Sequence, residues 1–547
     1  MLMISNKLSK RVRSNTMDAR LITFLQKTSA YPHHPETVEH VQTHISHVFL
    51  VPPYVYKFKK SVDFGFLDYS SLDKRKEYCH REVELNRRLT DDIYLGVVLV
   101  IEEDGRYRIS EDLNTDAVVE YAVKMKKLPE EYFLHSYLEN GTLKKSHLDR
   151  VADKLADFYN NQEPDKQILQ YGEIECIKVN TDENFEQTKV FVGETIDDNM
   201  YWAIQYFTNQ YFERRSELFE RRVAQKRIVD GHGDLHLEHI HITPDKEQIY
   251  DCIEFNDRFR YGDLAVDLAF FAMDLDFNNC WKEERYFIDQ MAQKLDDHDL
   301  LEIIDFYKCY RAYVKGKVKS LQSTEEEVPQ ADRKKAAQTA SRYFDLSLRY
   351  ALLGSKPIVL LFMGGVGTGK TTLAKHFEQK FDIDRFSSDR IRKSMAGVPL
   401  QKRTPDKERD QLYTRSMSEQ TYQALAEKME ACIKKGQSVI LDATFSNRRS
   451  REKLVQRFRE EGVDYLFVEA NAPEEVIKSR LKQRDQEDDV VSDARLEDFE
   501  ALKNRYHPPS EIGDDNLISV QTDQPVEQTI RSLYIELADR HIAGSSR

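Results

Sequence analysis

The stretch IVLLFMGGVGTGKTTLAKHF, residues 358–377, decides how the second half of this chain folds. Six apolar residues in a row read as a strand buried on both faces, and TTLAKHF reads as the opening of a helix. Between them Gly364, Gly365, Val366, Gly367, Thr368, Gly369, Lys370 and Thr371 form a GxxxxGK[ST] run. Glycines at this spacing let backbone N–H groups turn inward around a polyanion. Lys370 then reaches the terminal phosphates, and Thr371, followed by Thr372, offers a hydroxyl to Mg²⁺ at the positive end of the helix. ATP and Mg²⁺ are the cofactors this device predicts.

Working outward, two further segments belong to the same cleft. In FSSDRIRK (386–393), Asp389 and Arg392 lie one helical turn apart. A carboxylate there can take a proton from an acceptor hydroxyl while the guanidinium steadies phosphoryl charge, although Asp389 also suits a helix N-cap. SVILDATF (438–445) ends a strand on Asp442, placed to hold magnesium. The apolar runs 358–363, 438–442 and 464–469 alternate with amphipathic helices, which predicts a parallel α/β sheet over residues 358–540. Gly354 and Pro357 mark a linker at 354–357, and the last residues, 541–547, read as a flexible tail.

At 547 residues the chain exceeds one core. Residues 1–17 are polar, basic and expected to be flexible; 18–353 form the other module. With 81 Lys and Arg against 95 Asp and Glu, the net charge of −14 argues against a nucleic-acid coat and leaves room only for a local basic groove. The six cysteines form no CxxC pair, which excludes a disulfide framework and fits a reducing cytoplasm. No apolar run of membrane-spanning length occurs. Oligomeric state is not written in any motif.

The first module opens with strands such as VFLVPPYVYKF (48–58), followed by a charged helix over 73–89. Strand alternation puts Lys57 and Lys59 on one face, with Lys57 the favoured phosphate contact. Helical spacing puts Glu82 on the face of Cys79, Val83 and Asn86, as the inward partner of that lysine. Further on, HGDLHLEHIHI (232–242) and CIEFND (252–257) precede the apolar helix DLAVDLAFFAMDL (263–275). His232, His236, His239 and His241 also compose a conceivable zinc cluster, lacking cysteine or paired carboxylates at ligand spacing.

Two resemblances follow. GxxxxGKT, SSDxIRK, LDATF and RLKQRDQEDDVVSDA (480–494) resemble small P-loop kinases of the polynucleotide kinase, gluconate kinase and zeta-toxin-like group. That likeness implies Asp389 as general base and Arg480 and Arg484 as lid residues closing over the nucleotide. HGDLH and YGDLAVDLAF resemble aminoglycoside phosphotransferase-like and choline kinase-like proteins, which implies an α+β, protein-kinase-like, bilobal fold for 18–353. It implies Asp234 as base and Asp267 as the residue that buttresses the loop, and His232 and His236 read as hydrogen-bonding props of that loop rather than chemical actors. It also puts His239 where the family carries a magnesium-binding asparagine and Glu254 where it carries a metal-binding aspartate. No GxGxxG loop precedes the strands, so THISHVFL (43–50) stands in its place. The whole order resembles a bacterial fusion of an aminoglycoside phosphotransferase-like domain with a P-loop kinase or AAA-type ATP-binding domain. The implied activity is bifunctional phosphoryl transfer from ATP to small-molecule hydroxyl acceptors. The departures at His239 and Glu254 keep open a pseudokinase or ligand-binding module that regulates the C-terminal kinase. Asp389 with Arg392 keeps open a nucleic-acid 5′-hydroxyl kinase.

Overall fold

A computed structural model describes residues 17–112, 115, 117–326, 328–400, 404, 409, 412–486 and 492–544. The chain divides into two compact units, one of residues 1–177, 217–278 and 283–304, the other of 178–216, 279–282 and 305–547.

The first unit opens with a six-stranded antiparallel sheet: β1 (Glu39–Gln42), β2 (Ser46–Val51), β3 (Tyr54–Lys59), β4 (Tyr94–Glu103), β5 (Arg106–Ser110) and β6 (Val118–Lys126), in the order β1-β2-β3-β6-β4-β5. Alternation sorts β4 between two cores. Val98 and Val100 join Phe49, Tyr56 and Phe58 under the helix Ala19–Leu25, while Leu99 and Ile101 join Cys79 and Val83 of the helix Leu72–Asn86. Lys57 and Lys59 share the second face. Met17 is buried in the first core rather than belonging to a flexible end, and residues 1–16 lie outside the described residues. THISHVFL forms the β1–β2 turn, where Thr43 Oγ1 accepts from Ser46 N at 3.0 Å.

A helical part follows, carrying two short antiparallel pairs: β7 (Ile228–Asp230) with β10 (Tyr261–Asp263), and β8 (Ile240–Ile242) with β9 (Glu247–Ile249). These pairs frame HGDLH on one side and YDCIEFND on the other. The helix Leu264–Phe277 is apolar around its circumference because almost every residue is buried.

The second unit holds β11 (Ile358–Met363), β12 (Arg385–Ser387), β13 (Val439–Asp442), β14 (Asp464–Asn471) and β15 (Leu517–Gln521), parallel in the order β12-β13-β11-β14-β15. Val359, Leu361, Met363, Leu441 and Phe467 pack on Leu425, Met429, Leu454 and Phe458 of the flanking helices. On the other face Phe362 and Tyr534 both pack on Phe377 of the helix Lys370–Phe381. The division does not fall at 354. Helices Asp198–Arg214 and Gln330–Leu353, expected with the kinase-like module, group with this sheet through the terminal helix Val526–Gly544. Tyr206 and Arg214 both reach Asp539, at 3.0 and 2.9 Å. The expected linker is pinned, because Ser355 N donates to Asp305 Oδ2 at 3.2 Å. A Cβ on Gly354 (φ 70°) would come within 2.7 Å of that same oxygen. Residues 541–544, read as tail, are helical, with His541 stacked on Phe207 and Ile542 buried. Among the described residues no helix is long and apolar enough to cross a membrane.

Candidate active sites

In the second unit the loop between β11 and its helix bends on Gly364, Gly367 and Gly369, with φ of 139°, 78° and 93°. At Gly364 a Cβ would meet the Ala470 carbonyl oxygen at 2.5 Å, so glycine is required there. Lys370 opens the helix and touches the Gly365 carbonyl at 3.5 Å, at the edge of a hydrogen bond. Burial pulls its ammonium below the usual lysine value, with Asp442 and Asp389 pulling the other way. Thr371 Oγ1 donates to Asp442 Oδ1 at 3.2 Å, while Asp442 Oδ2 takes Arg385 Nη1 at 3.1 Å. Asp442 is buried at the end of β13, and burial pushes its carboxyl up against the opposing pull of Lys370 and Arg385. Asp389 and Arg392 pair directly, Oδ1 to Nη1 at 3.1 Å, and the guanidinium lies 4.7 Å from the Tyr413 ring centre. Arg480 Nη1 lies 3.3 Å from the Gly367 carbonyl and 3.1 Å from Thr522 Oγ1, against the loop itself. Arg484 is close enough to oppose the charge of Lys370. Residues 487–491 of the lid segment lie outside the described residues.

Arg385 escaped the sequence reading, because β12 is three residues long and carries no motif. So did the buried pair of Lys393 and Asp493 (3.1 Å), in which Asp493 also takes Thr404 N and Oγ1 at 2.9 and 2.7 Å. Asp493 sits near the end of RLKQRDQEDDVVSDA (480–494), in which Arg480 and Arg484 carry the resemblance.

In the first unit Asp267 Oδ2 and Oδ1 accept from the backbone N–H groups of His232 (2.5 Å) and Gly233 (2.8 Å), and Tyr159 Oη adds 3.1 Å. Asp274, two turns on, accepts from Leu237 N at 2.9 Å. These bonds fix the loop that carries Asp234. His232 Nε2 meets the Tyr250 carbonyl at 2.9 Å, and burial lowers its imidazole to about 4, so it is a neutral prop. Lys57 Nζ bridges Glu82 (2.9 Å) and Asp251 (2.6 Å); Lys59 Nζ bridges Glu82 (2.7 Å) and Glu254. Glu82 therefore serves both lysines. Glu254, expected at a metal, is instead held by Lys59 and the Tyr69 hydroxyl. Buried Lys59 requires a counter-charge, and the longer glutamate reaches it.

The carboxylate beside the loop is Asp251. It sits in the left-handed region (φ 64°), which aspartate tolerates better than most residues, and its Oδ2 lies 3.5 Å from His239 Nε2. Burial opposes its ionisation, but Lys57 and His239 outweigh that and hold its carboxyl well below the usual range. His239 itself is held below the ordinary imidazole range by burial, and next by His236. His239 and Asp234 thus stand together, and Glu254 stands apart from them.

Known proteins share parts of this chain. The AAA domain family model matches residues 359–509. An uncharacterized protein of Mycobacterium tuberculosis is 28% identical over 411 residues, covering 75% of this chain and 79% of that protein, and one of Mycobacterium bovis matches equally. A gluconokinase from Sinorhizobium meliloti is similar in structure over 35% of this chain and 94% of its own, at 18% identity and TM-score 0.25. A choline/ethanolamine kinase family protein from Mesorhizobium loti is similar over 60% and 98%, at 12% identity and TM-score 0.35. Residues 359–509 accordingly match the AAA domain model and carry a complete GxxxxGKT run, and in the first unit an antiparallel sheet precedes a helical part.

Proposed function

We propose that this chain is an ATP-dependent phosphotransferase whose P-loop site moves the terminal phosphoryl group of ATP to a small-molecule hydroxyl, and whose kinase-like site is a second centre of the same class. The convergence of Lys370, Thr371 and Asp442 on one phosphate-binding turn carries this reading. The loop N–H groups and Lys370 bind the polyanion, and Arg480 covers it from the lid helix. Asp389 accepts the acceptor's proton, and its partner Arg392 takes up phosphoryl charge as it develops. Thr371 and Asp442 form an all-oxygen donor pair suited to Mg²⁺, which when bound neutralises phosphate charge. In the first unit Asp234 is the base and Lys57, set by Glu82, faces the phosphates.

A second reading is favoured by one observation, the closure of Glu254 onto Lys59 and Tyr69: the kinase-like half binds a ligand without turnover and governs the P-loop site. One experiment separates them. Labelled ATP and a metabolite extract are incubated with the full chain, Lys370→Ala and Asp234→Ala. Lys370→Ala should lower one product by at least about a hundredfold, and Asp234→Ala should remove a different product. Unchanged transfer by Lys370→Ala would sink the first reading at the P-loop. A full product set from Asp234→Ala would leave the ligand-binding alternative.

A further inference from the structure

The loop after β7 brings two imidazoles to the carboxylate of Asp234. His236 Nε2 lies 3.5 Å from Asp234 Oδ2, and Asp234, His236 and His239 each offer one ligand atom within 4.8 Å of the other two. An ion about 2.1 Å from each donor needs separations of up to about 4.2 Å, so side-chain shifts of roughly half an ångström or more close the set. His239 Nδ1 is 2.9 Å from the Asp234 backbone carbonyl. A carbonyl only accepts, so Nδ1 carries the proton and Nε2 turns its lone pair toward Asp251 Oδ2, 3.5 Å away. An imidazole so held by its other nitrogen is oriented as a ligand. The other oxygen of Asp251 stays on Lys57. His232 and His241 are not part of this set. Each gives a ring nitrogen to a backbone carbonyl, of Tyr250 and Pro129 respectively.

We propose that His236 and His239, with Asp234 and Asp251, form a site for a divalent transition metal such as Mn²⁺, Co²⁺ or Zn²⁺ in preference to Mg²⁺. Two nitrogen donors are poor partners for a hard ion that demands six oxygens, and they favour the later first-row metals. The site is distinct from the all-oxygen pair Thr371 and Asp442, and it stands whether or not the first unit turns over ATP.

The test uses the full chain, stripped by chelation and titrated with Mn²⁺ alone, read by pulsed paramagnetic resonance. Bound Mn²⁺ should show ¹⁴N coupling from imidazole and resist displacement by excess Mg²⁺; Mn²⁺ on the P-loop would show oxygen only. His236→Asn and His239→Asn should each weaken Mn²⁺ binding by about tenfold or more and reduce the nitrogen coupling. Absence of nitrogen coupling in the unaltered protein overturns the proposal, and that readout needs no variant to fold. Displacement by Mg²⁺, or unaltered Mn²⁺ binding in both variants, overturns it equally.

Discussion

The buttressing role that the resemblance implies for Asp267 has a physical cause in its position. A carboxylate inside an apolar helix must find donors, and this one holds two backbone N–H groups and the Tyr159 hydroxyl. Asp267→Ala strands both buried N–H groups, and urea unfolding should show a loss of about 3 kcal/mol, with Asp267→Asn costing less because one acceptor oxygen remains. Asp274 does similar work for Leu237 N, yet nothing set it apart in sequence, since an acidic residue near a helix end reads as solvated. The two lysines of β3 were legible to their face, and Glu82 to its place beside Lys57, but Asp251 and Glu254 were not, because alternation says nothing of what lies opposite. Glu254 is the clearest divergence. Motif position pointed it at a metal, whereas the charge of a neighbouring buried lysine draws it away, and Asp251 faces the loop instead.

Among elements, continuous apolar strands announced themselves and edge strands did not. β12 is three residues of mixed burial and β15 buries only alternate positions, so neither stands out from loop sequence. Side-chain networks that join elements are equally silent. Arg222, on the helix Ser216–Ala224, is fully buried between Asp263, which caps the helix Leu264–Phe277, and Asp297. The bonds run at 2.6 to 2.7 Å to Asp263 and 2.5 to 2.7 Å to Asp297. Arg222→Leu removes the hydrogen-bonded cation from two buried carboxylates, leaving Asp297 only Arg227 at 3.8 Å, and denaturant titration should show a loss of about 3–5 kcal/mol. The loss should shrink when Asp297→Asn is added, since one of the stranded charges is then gone.

At the scale of the molecule, the parallel sheet around the P-loop and the first strands of the other unit were each readable from local pattern, but the grouping of distant helices was not. Gly354 and Pro357 do mark a change of element, yet the compact unit reaches back to residue 178. Residues 357–547 expressed alone lose Asp198–Arg214 and Gln330–Leu353 from the faces of Val526–Gly544 and Lys370–Phe381. They also lose Asp197 and Asp345 from Lys380, now at 2.7 and 3.2 Å. Calorimetry should show such a fragment melting at least about 10 °C below the same region in the full chain, equivalent to a few kcal/mol. A peptide covering 195–216 should restore part of that difference.

The bond from Tyr206 to Asp539 spans 333 residues. At ribosomal speeds of about 5–20 residues per second, the helix that carries Tyr206 emerges tens of seconds before the helix that covers it exists. Its apolar side, with Met200, Ala203, Ile204 and Phe207, must wait through the making of the entire P-loop domain. The second unit therefore cannot close over this face until the terminal helix, 333 positions further along at Asp539, has been made.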